Sequence, residues 1–201
     1  AGEKETDFRS YLLKAKATNP DALVCSGLVD ETVRCLVQSY EVGIPKSVAR
    51  VANSVASKVE VPTNAGKAAV GVSYAAAFAA SDTRPIAKKF VKHIKSRYGV
   101  VPGHDFSQME DLLTMLKPAL EKAEKGFSGD LASDRKAVRD SIAGITNFTG
   151  LASGPISFCA AGSPECRDGN RTPVMIEYTK GGKNWKTKVA GTVTFNASAG
   201  L

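Results

Sequence analysis

Four cysteines, at positions 25, 35, 159 and 166, and two histidines, at 93 and 104, are the side chains of this 201-residue sequence most suited to distinctive chemistry. Cys159 and Cys166 bracket AAGSPE, a Gly/Pro loop short enough to bring their Cα atoms within disulfide range. Such a bridge points to an oxidising compartment. A zinc site needs more ligands than this, because His93 and His104 lie far away in sequence. Cys25 and Cys35 read as unbridged. One falls in a buried strand and the other on the apolar face of the next helix, where a free cysteine behaves as a small hydrophobe. Carboxylates for acid/base work are present in MED, as Glu110 and Asp111, but they read as first-turn charges near a helix N-terminus.

No catalytic template is present. The sequence has no G-x-S-x-G elbow, no G-x-x-x-x-G-K-[ST] phosphate loop, no H-E-x-x-H, and no G-x-G-x-x-G after a strand. The expectation is therefore a protein without enzymatic activity, metal or cofactor. Hydrophobic residues make up 43% of the chain, enough for packed cores and one α/β domain or two small ones. The net charge of +7 raises anionic partners, yet the one dense basic cluster is KKFVKHIKSR, Lys88 to Arg97. Phe90, Val91 and Ile94 run through it at helical spacing, so it reads as the solvated face of an amphipathic helix, and nucleic acid is not an expected partner. The longest apolar window, Ala68 to Ala80, falls short of the ~20 residues of a membrane helix. The opening AGEKETDF lacks the basic start and apolar centre of a signal peptide, leaving a mature form, a cytosolic protein or a fragment.

The elements that would position a site alternate. Helix 1 runs through TDFRSYLLKAKA, with Thr6 or Asp7 as cap, and stops at Asn19-Pro20. DALVCSG follows as a short buried strand. Asp30 then caps a helix whose inward face is Val33, Leu36, Val37 and Tyr40, ended by Gly43. A second strand fits Lys46 to Asn53. Residues 54–67 read as a loop or short helix, and AAVGVSYAAAF as a strand leading into an extended crossing. Helices are expected over Arg84 to Tyr98, capped by Ser81 or Asp82, over Phe106 to Lys125 with Pro118 kinking it, and from a cap at Ser133 or Asp134. Past Thr149 the chain turns Gly-, Ser- and Thr-rich, with β-type runs ISFC, TPVMIEYTK and NWKTKV. KGGK joins the last two as a hairpin.

Helix, strand, helix, strand with tight connections is the pattern of a parallel α/β sheet, in which ligands bind at strand carboxyl ends. Two such ends are small and polar: Ser26 to Val29, and Ala52 to Val55. TDFRSYLLKAKATNPDALVCSG, AVGVSYAAAF, AKKFVKHIKSRYG and AVRDSIAGITNFTGLASGPISF together resemble the branched-chain amino-acid type of periplasmic solute-binding proteins, the receptors of ABC importers. The resemblance runs in order from Thr6 to Trp185.

It implies a periplasmic-binding-protein type I fold: Rossmann-like, three-layer α/β lobes with parallel sheets, joined by crossovers and closing on a small solute. Members ordinarily have a long further segment before Ala1, so the fold is expected to be incomplete in this chain. Residues 1–70 would form most of the second ligand-binding lobe, 71–80 a hinge crossover, and 81–201 segments returning to the first lobe with C-terminal strands and a hairpin. Uncovered edges and helix faces would then favour self-association or pairing with the N-terminal segment. By position, the implied ligand contacts are Ser26, Gly27, Leu28 and Val29 after the first strand, Asn53 and Ser54 after the second, and Tyr74 at the hinge. Tyr74 fits hinge packing equally well.

Amino-acid receptors place an acid where Asn53 falls. An amide offers a buried ammonium only a dipole, which favours a neutral or acidic ligand with an apolar body. An amino acid stays open, since Asp30 could supply the charge. The implied function is an extracytoplasmic, periplasmic receptor delivering an amino acid or an aliphatic or aromatic carboxylate to an ABC-type membrane permease. The alternative is a ligand-sensing regulator on the same two-lobed fold.

Overall fold

The computed structural model describes residues 5–152, 155–158 and 172–192. The chain divides into two compact units, one from Ala1–Ser81 with Val174–Gly191 and the other mainly from Asp82–Pro173.

The first unit opens with α1 (Arg9–Ala17). Phe8, not Thr6 or Asp7, holds the N-cap position and has no side-chain cap bond, while Asp7 accepts the Arg9 backbone N–H at 3.0 Å from just ahead of it. The helix stops where Asn19 takes a positive φ of 48°, a conformation that asparagine tolerates, and Pro20 follows. β1 (Ala22–Cys25), β2 (Ala49–Ala52) and β3 (Val72–Ala76) then pair in parallel, with α2 (Val29–Glu41) between the first two. Gly43, φ 71°, ends α2 as expected. Residues 54–69 form a 3-10 turn (Ser54–Ser57), α3 (Glu60–Ala65) and a second 3-10 turn (Gly66–Ala69).

β4 (Val174–Lys180) lies antiparallel beside β3, and β5 (Lys186–Thr192) completes the order β1-β2-β3-β4-β5. The sheet is therefore mixed, where the sequence suggested parallel strands throughout. β3 and β4 are separated by the long excursion of residues 77–173, a connection that leaves either strand direction open, and β4 enters antiparallel. Val72–Ala76 is a strand paired on both sides, as AAVGVSYAAAF suggests, and the C-terminal hairpin belongs to the same unit as residues 5–81.

Alternation along the strands gives the sheet two unlike faces. One buries Cys25, Ala52, Val72, Tyr74, Ala76 and Ile176 against Leu36, Val61, Ala65 and Ala69. The other leaves Ala22, Ala49 and Ala75 exposed and Val24 66% exposed. Arg50 is buried at the start of β2, where its guanidinium donates to the Ile44 carbonyl at 3.0 Å and burial pulls its pKa down.

Tyr178 crowns the covered face. Its hydroxyl donates to the Ala56 carbonyl, Tyr74 packs tilted against it with ring centroids 5.3 Å apart, and Trp185 meets it edge-on at 6.1 Å. Burial pushes the Tyr74 phenol up to about 12 and raises Tyr178 as well, with the Tyr74 neighbour adding to the latter. A phenol with a raised folded-state pKa keeps its proton after the unfolded chain has lost it at about 10. Stability from this pair is thus complete below about pH 10 and is lost as pH climbs through the folded pKa values. The expected melting temperature falls above pH 10, with a smaller slope in Tyr74→Phe. Equal slopes in the two proteins would contradict this account.

The described residues of the second unit form helices and an isolated antiparallel bridge between Phe148 and Ile156. α4 (Pro85–Tyr98) buries Ala87, Phe90 and Ile94 and exposes Lys88, Lys89, Lys92, Lys95 and Arg97, the amphipathic division that its spacing predicts. Asp82 accepts the Arg84 backbone N–H at 2.8 Å, ahead of the helix start. α5 (His104–Glu124) runs unbroken through Pro118. Proline deprives the Thr114 carbonyl of its helical donor, and both residues are exposed, so that carbonyl can turn to water. α6 (Leu131–Ala143) is capped by Asp130, which accepts the Ser133 N–H at 2.7 Å, rather than by Ser133 or Asp134. Asp134 instead accepts from Ser128 and Gly129.

Asp111 departs from its sequence reading. It lies beyond the first turn of α5 and is buried, whereas Glu110 is exposed. Phe106, Met109, Leu112, Leu113 and Leu120 leave much of the apolar surface of α5 exposed.

Candidate solute-binding site

The pairing of β1 with β2 brings Cys25 opposite Ala52, so the loops that follow both strands emerge side by side. Small residues let the first loop turn sharply. A Cβ on Gly27 would stand 2.8 Å from the Glu31 Cβ, so glycine is what permits α2 to fold back so closely. Leu28 occupies the N-cap position in an extended conformation, with no side-chain cap, and Asp30 and Glu31 fall in the first turn. The sequence gives Asp30 the capping role. The helix begins one residue before it, so its charge serves only as a first-turn anion near the helix N-terminus.

Leu28 is 73% exposed, and Ser26 is also open to solvent. Gly27 and Val29 are half-buried, and Val29 packs against the core. In the neighbouring loop, Asn53 holds the N-cap position of the 3-10 turn that Ser54 begins, without a side-chain cap bond. Its Nδ2 donates to the Gly27 carbonyl at 3.0 Å, and the Thr32 hydroxyl reaches the same oxygen at 3.4 Å. Asn53 is therefore a strut between the two loops. Its Oδ1 is buried without a hydrogen-bond partner, as are Glu31 Oε2 and Ser57 Oγ. Buried polar atoms of this kind cost free energy.

The structure thus assembles Ser26, Gly27, Leu28, Val29, Asn53 and Ser54 at one end of the sheet. Tyr74 lies in β3 opposite Ala52, 4% exposed and packed against Tyr178.

The cysteines are corrected more sharply. Cys25 and Cys35 are not unbridged hydrophobes; they form a disulfide with Cα atoms 5.8 Å apart. A strand followed at once by a helix that folds back over it returns the second turn of that helix to the strand end, within disulfide reach. That signal was present in CSGLVDETVRC. Cys159 and Cys166, for which the sequence suggests a bridge, lie outside the described residues. Among the described residues, no group of three or more His, Cys, Asp or Glu side chains could hold a metal ion. No helix among the described residues is long and apolar enough to cross a membrane. What the two strand-end loops offer is an exposed apolar side chain, small polar groups and backbone.

A family model described as periplasmic binding protein matches residues 2–167, and the chain belongs to that family. Its fold is type I, as in the solved binding proteins of the branched-chain amino-acid type. A leucine-binding protein LivK from Thermotoga maritima superposes with a TM-score of 0.77 at 24% identity, over 99% of this chain and 51% of that one. LivJ from Streptococcus pneumoniae in complex with isoleucine gives 0.76 at 22%, over 97% and 51%. A benzoate-bound solute-binding protein of an ABC transporter from R. palustris gives 0.75 at 16%, over 99% and 51%. The chain spans about half the length of these structures. A search of curated proteins gave no match.

Proposed function

We propose that this protein is an extracytoplasmic solute receptor that delivers a small amino acid, or a related aliphatic or aromatic carboxylate, to the permease of an ABC importer. The observation that carries the reading is the adjacency of two strand-end loops. In a chain of the periplasmic binding protein family, two strand-end loops are tied by Asn53 to the Gly27 carbonyl and present Leu28 to solvent. The first unit then serves as the second lobe, completed by its C-terminal hairpin, with the Ser26–Val29 and Asn53–Ser54 loops as one wall of the cleft. Work is done by the difference in affinity between open and closed states, and no chemical step is involved.

Isoleucine and benzoate, bound in two of the similar structures, bracket the ligand class: an apolar body with a carboxylate. The Cys25–Cys35 disulfide supports a periplasmic location and weighs against a cytoplasmic regulator on the same fold. The exposed sheet face at Val24 and the apolar side of α5 suit packing against a further segment or a second copy.

Thermal shift of the complete protein with leucine, isoleucine and benzoate tests the reading. A ligand at about 100 times its Kd should stabilise by roughly 2.7 kcal/mol, with the ligand recovered unchanged. No shift with any of them, or conversion of one, would count against it. Leu28→Ala should weaken the best ligand by roughly tenfold, because closure would bury an apolar side chain that is exposed in the open crevice. Titration calorimetry on both proteins reads that ratio, and equal affinities would remove Leu28 from the wall.

A further inference from the structure

The loop that forms the proposed cleft wall is closed into a covalent ring. Cys25, the last residue of β1 and 1% exposed, is bonded to Cys35 in α2 across a sequence separation of 10. The ring encloses Ser26, Gly27 and Leu28 together with the first turn of α2. The noncovalent ties on that loop are slight. Its helix starts without a side-chain cap, Leu28 projects into solvent, and the Gly27 carbonyl is held by Asn53 at 3.0 Å and by Thr32 at a long 3.4 Å. A crosslink on so lightly held a segment restricts the loop more than the rest of the sheet, whose strands are held by their own ladder.

We infer that Cys25 and Cys35 are a positioning pair for the solute loop, and that solute affinity follows the redox state of their disulfide. The inference rests on the reading of this loop as a cleft wall. A loop already fixed in its bound shape loses little freedom when a solute docks, whereas a loop freed by reduction must be ordered at the expense of affinity. The reduction is an ordinary exchange with a dithiol. A reductant thiolate attacks the Cys35 sulfur, the more accessible of the two, and the Cys25–Cys35 bond breaks with its electron pair going to the Cys25 sulfur. The second reductant thiol then displaces Cys35. The products are two protein thiols and the oxidised dithiol, with both protons supplied by the reductant.

The experiment compares three forms of the complete protein: oxidised, reduced with dithiothreitol under native conditions, and the double variant Cys25→Ala with Cys35→Ala. The probes are L-leucine, L-isoleucine and benzoate. Each form is measured for Kd and dissociation rate, and for amide deuterium exchange without ligand. The expected result is a Kd about tenfold weaker in the reduced and variant forms, chiefly through faster dissociation. Exchange should rise about tenfold or more at residues 26–32 while amides of β2 and β3 keep their protection. Unchanged exchange at 26–32 overturns the inference. So does a uniform rise across the sheet, which would make the bond a general staple. If no probe binds the oxidised protein, the receptor reading fails, and the exchange pattern alone still decides whether the pair positions the loop.

Discussion

Asp111→Ala is expected to destabilise the second unit by about 3–5 kcal/mol, among the largest effects expected of any single substitution in this protein. The Asp111 side chain, on a residue only 4% exposed, accepts the backbone N–H groups of Leu151 and Ala152, each at 2.7 Å. Alanine would leave both donors buried and unpaired, at roughly 1–3 kcal/mol apiece. The same turn is gripped from its other side. The Arg84 guanidinium donates to the carbonyls of Gly150, Leu151 and Ala152, at 3.3, 2.6 and 3.4 Å, while Asp82 holds that guanidinium in place. Gly150 fits only because it lacks a side chain: a Cβ there would stand 2.1 Å from Asp111 Oδ1. Asp111→Asn keeps one acceptor oxygen and should lose about half as much. Urea denaturation of the three proteins reads the difference. A loss below about 1 kcal/mol for the alanine variant would show that water replaces the carboxylate and that the turn is not held as described.

Gly181→Ala should cost the first unit about 3 kcal/mol or more, because the clash it creates is between backbones and has no flexible side chain to absorb it. A Cβ at position 181 would lie 1.7 Å from the Gly66 carbonyl oxygen and 2.6 Å from its carbon. The β4–β5 turn would have to lift away from Gly66, breaking the Gly182 N–H bond to the Pro62 carbonyl at 2.8 Å and disturbing Trp185 against Tyr178. Gly182 is the internal control. It has open space around its Cβ direction but a φ of 79°, so alanine there should cost only about 1 kcal/mol. Thermal unfolding of both variants separates the two reasons for one Gly-Gly pair. Equal losses would contradict the close approach at Gly66.

Much of the fold was legible because local signals and periodicity agreed. Asn19-Pro20 and Gly43 stop α1 and α2 as read, Phe90 and Ile94 turn inward on α4, and KGGK joins β4 to β5. The strand-end loops were legible as well, since small residues after a short strand mark the crevice of an α/β sheet. What escaped depended on contacts distant in sequence. Asp111 looked like a helix-surface charge because its partners lie 40 and 41 residues away. The hairpin was grouped with the helices before it, although its strands complete the sheet of the first unit. Tyr74 was ambiguous until β4 supplied Tyr178 as its neighbour. Asn53 was read by its chemistry toward a ligand, yet its amide nitrogen is spent on the Gly27 carbonyl. The Cys25–Cys35 bond was passed over because each cysteine also suited a core position, and only the return of α2 over β1 distinguishes the two readings.

The central claim is that the crevice at the ends of β1 and β2 belongs to a receptor that holds a small solute without changing it. Mass measurement of the complete protein, purified without denaturation and recorded under native and then denaturing conditions, tests this directly. The account predicts a native mass larger than that of the chain by one small amino acid or carboxylate, lost on denaturation and chemically intact. A nucleotide, a covalently modified chain, or a protein that carries no solute and takes up none from leucine, isoleucine or benzoate would contradict it.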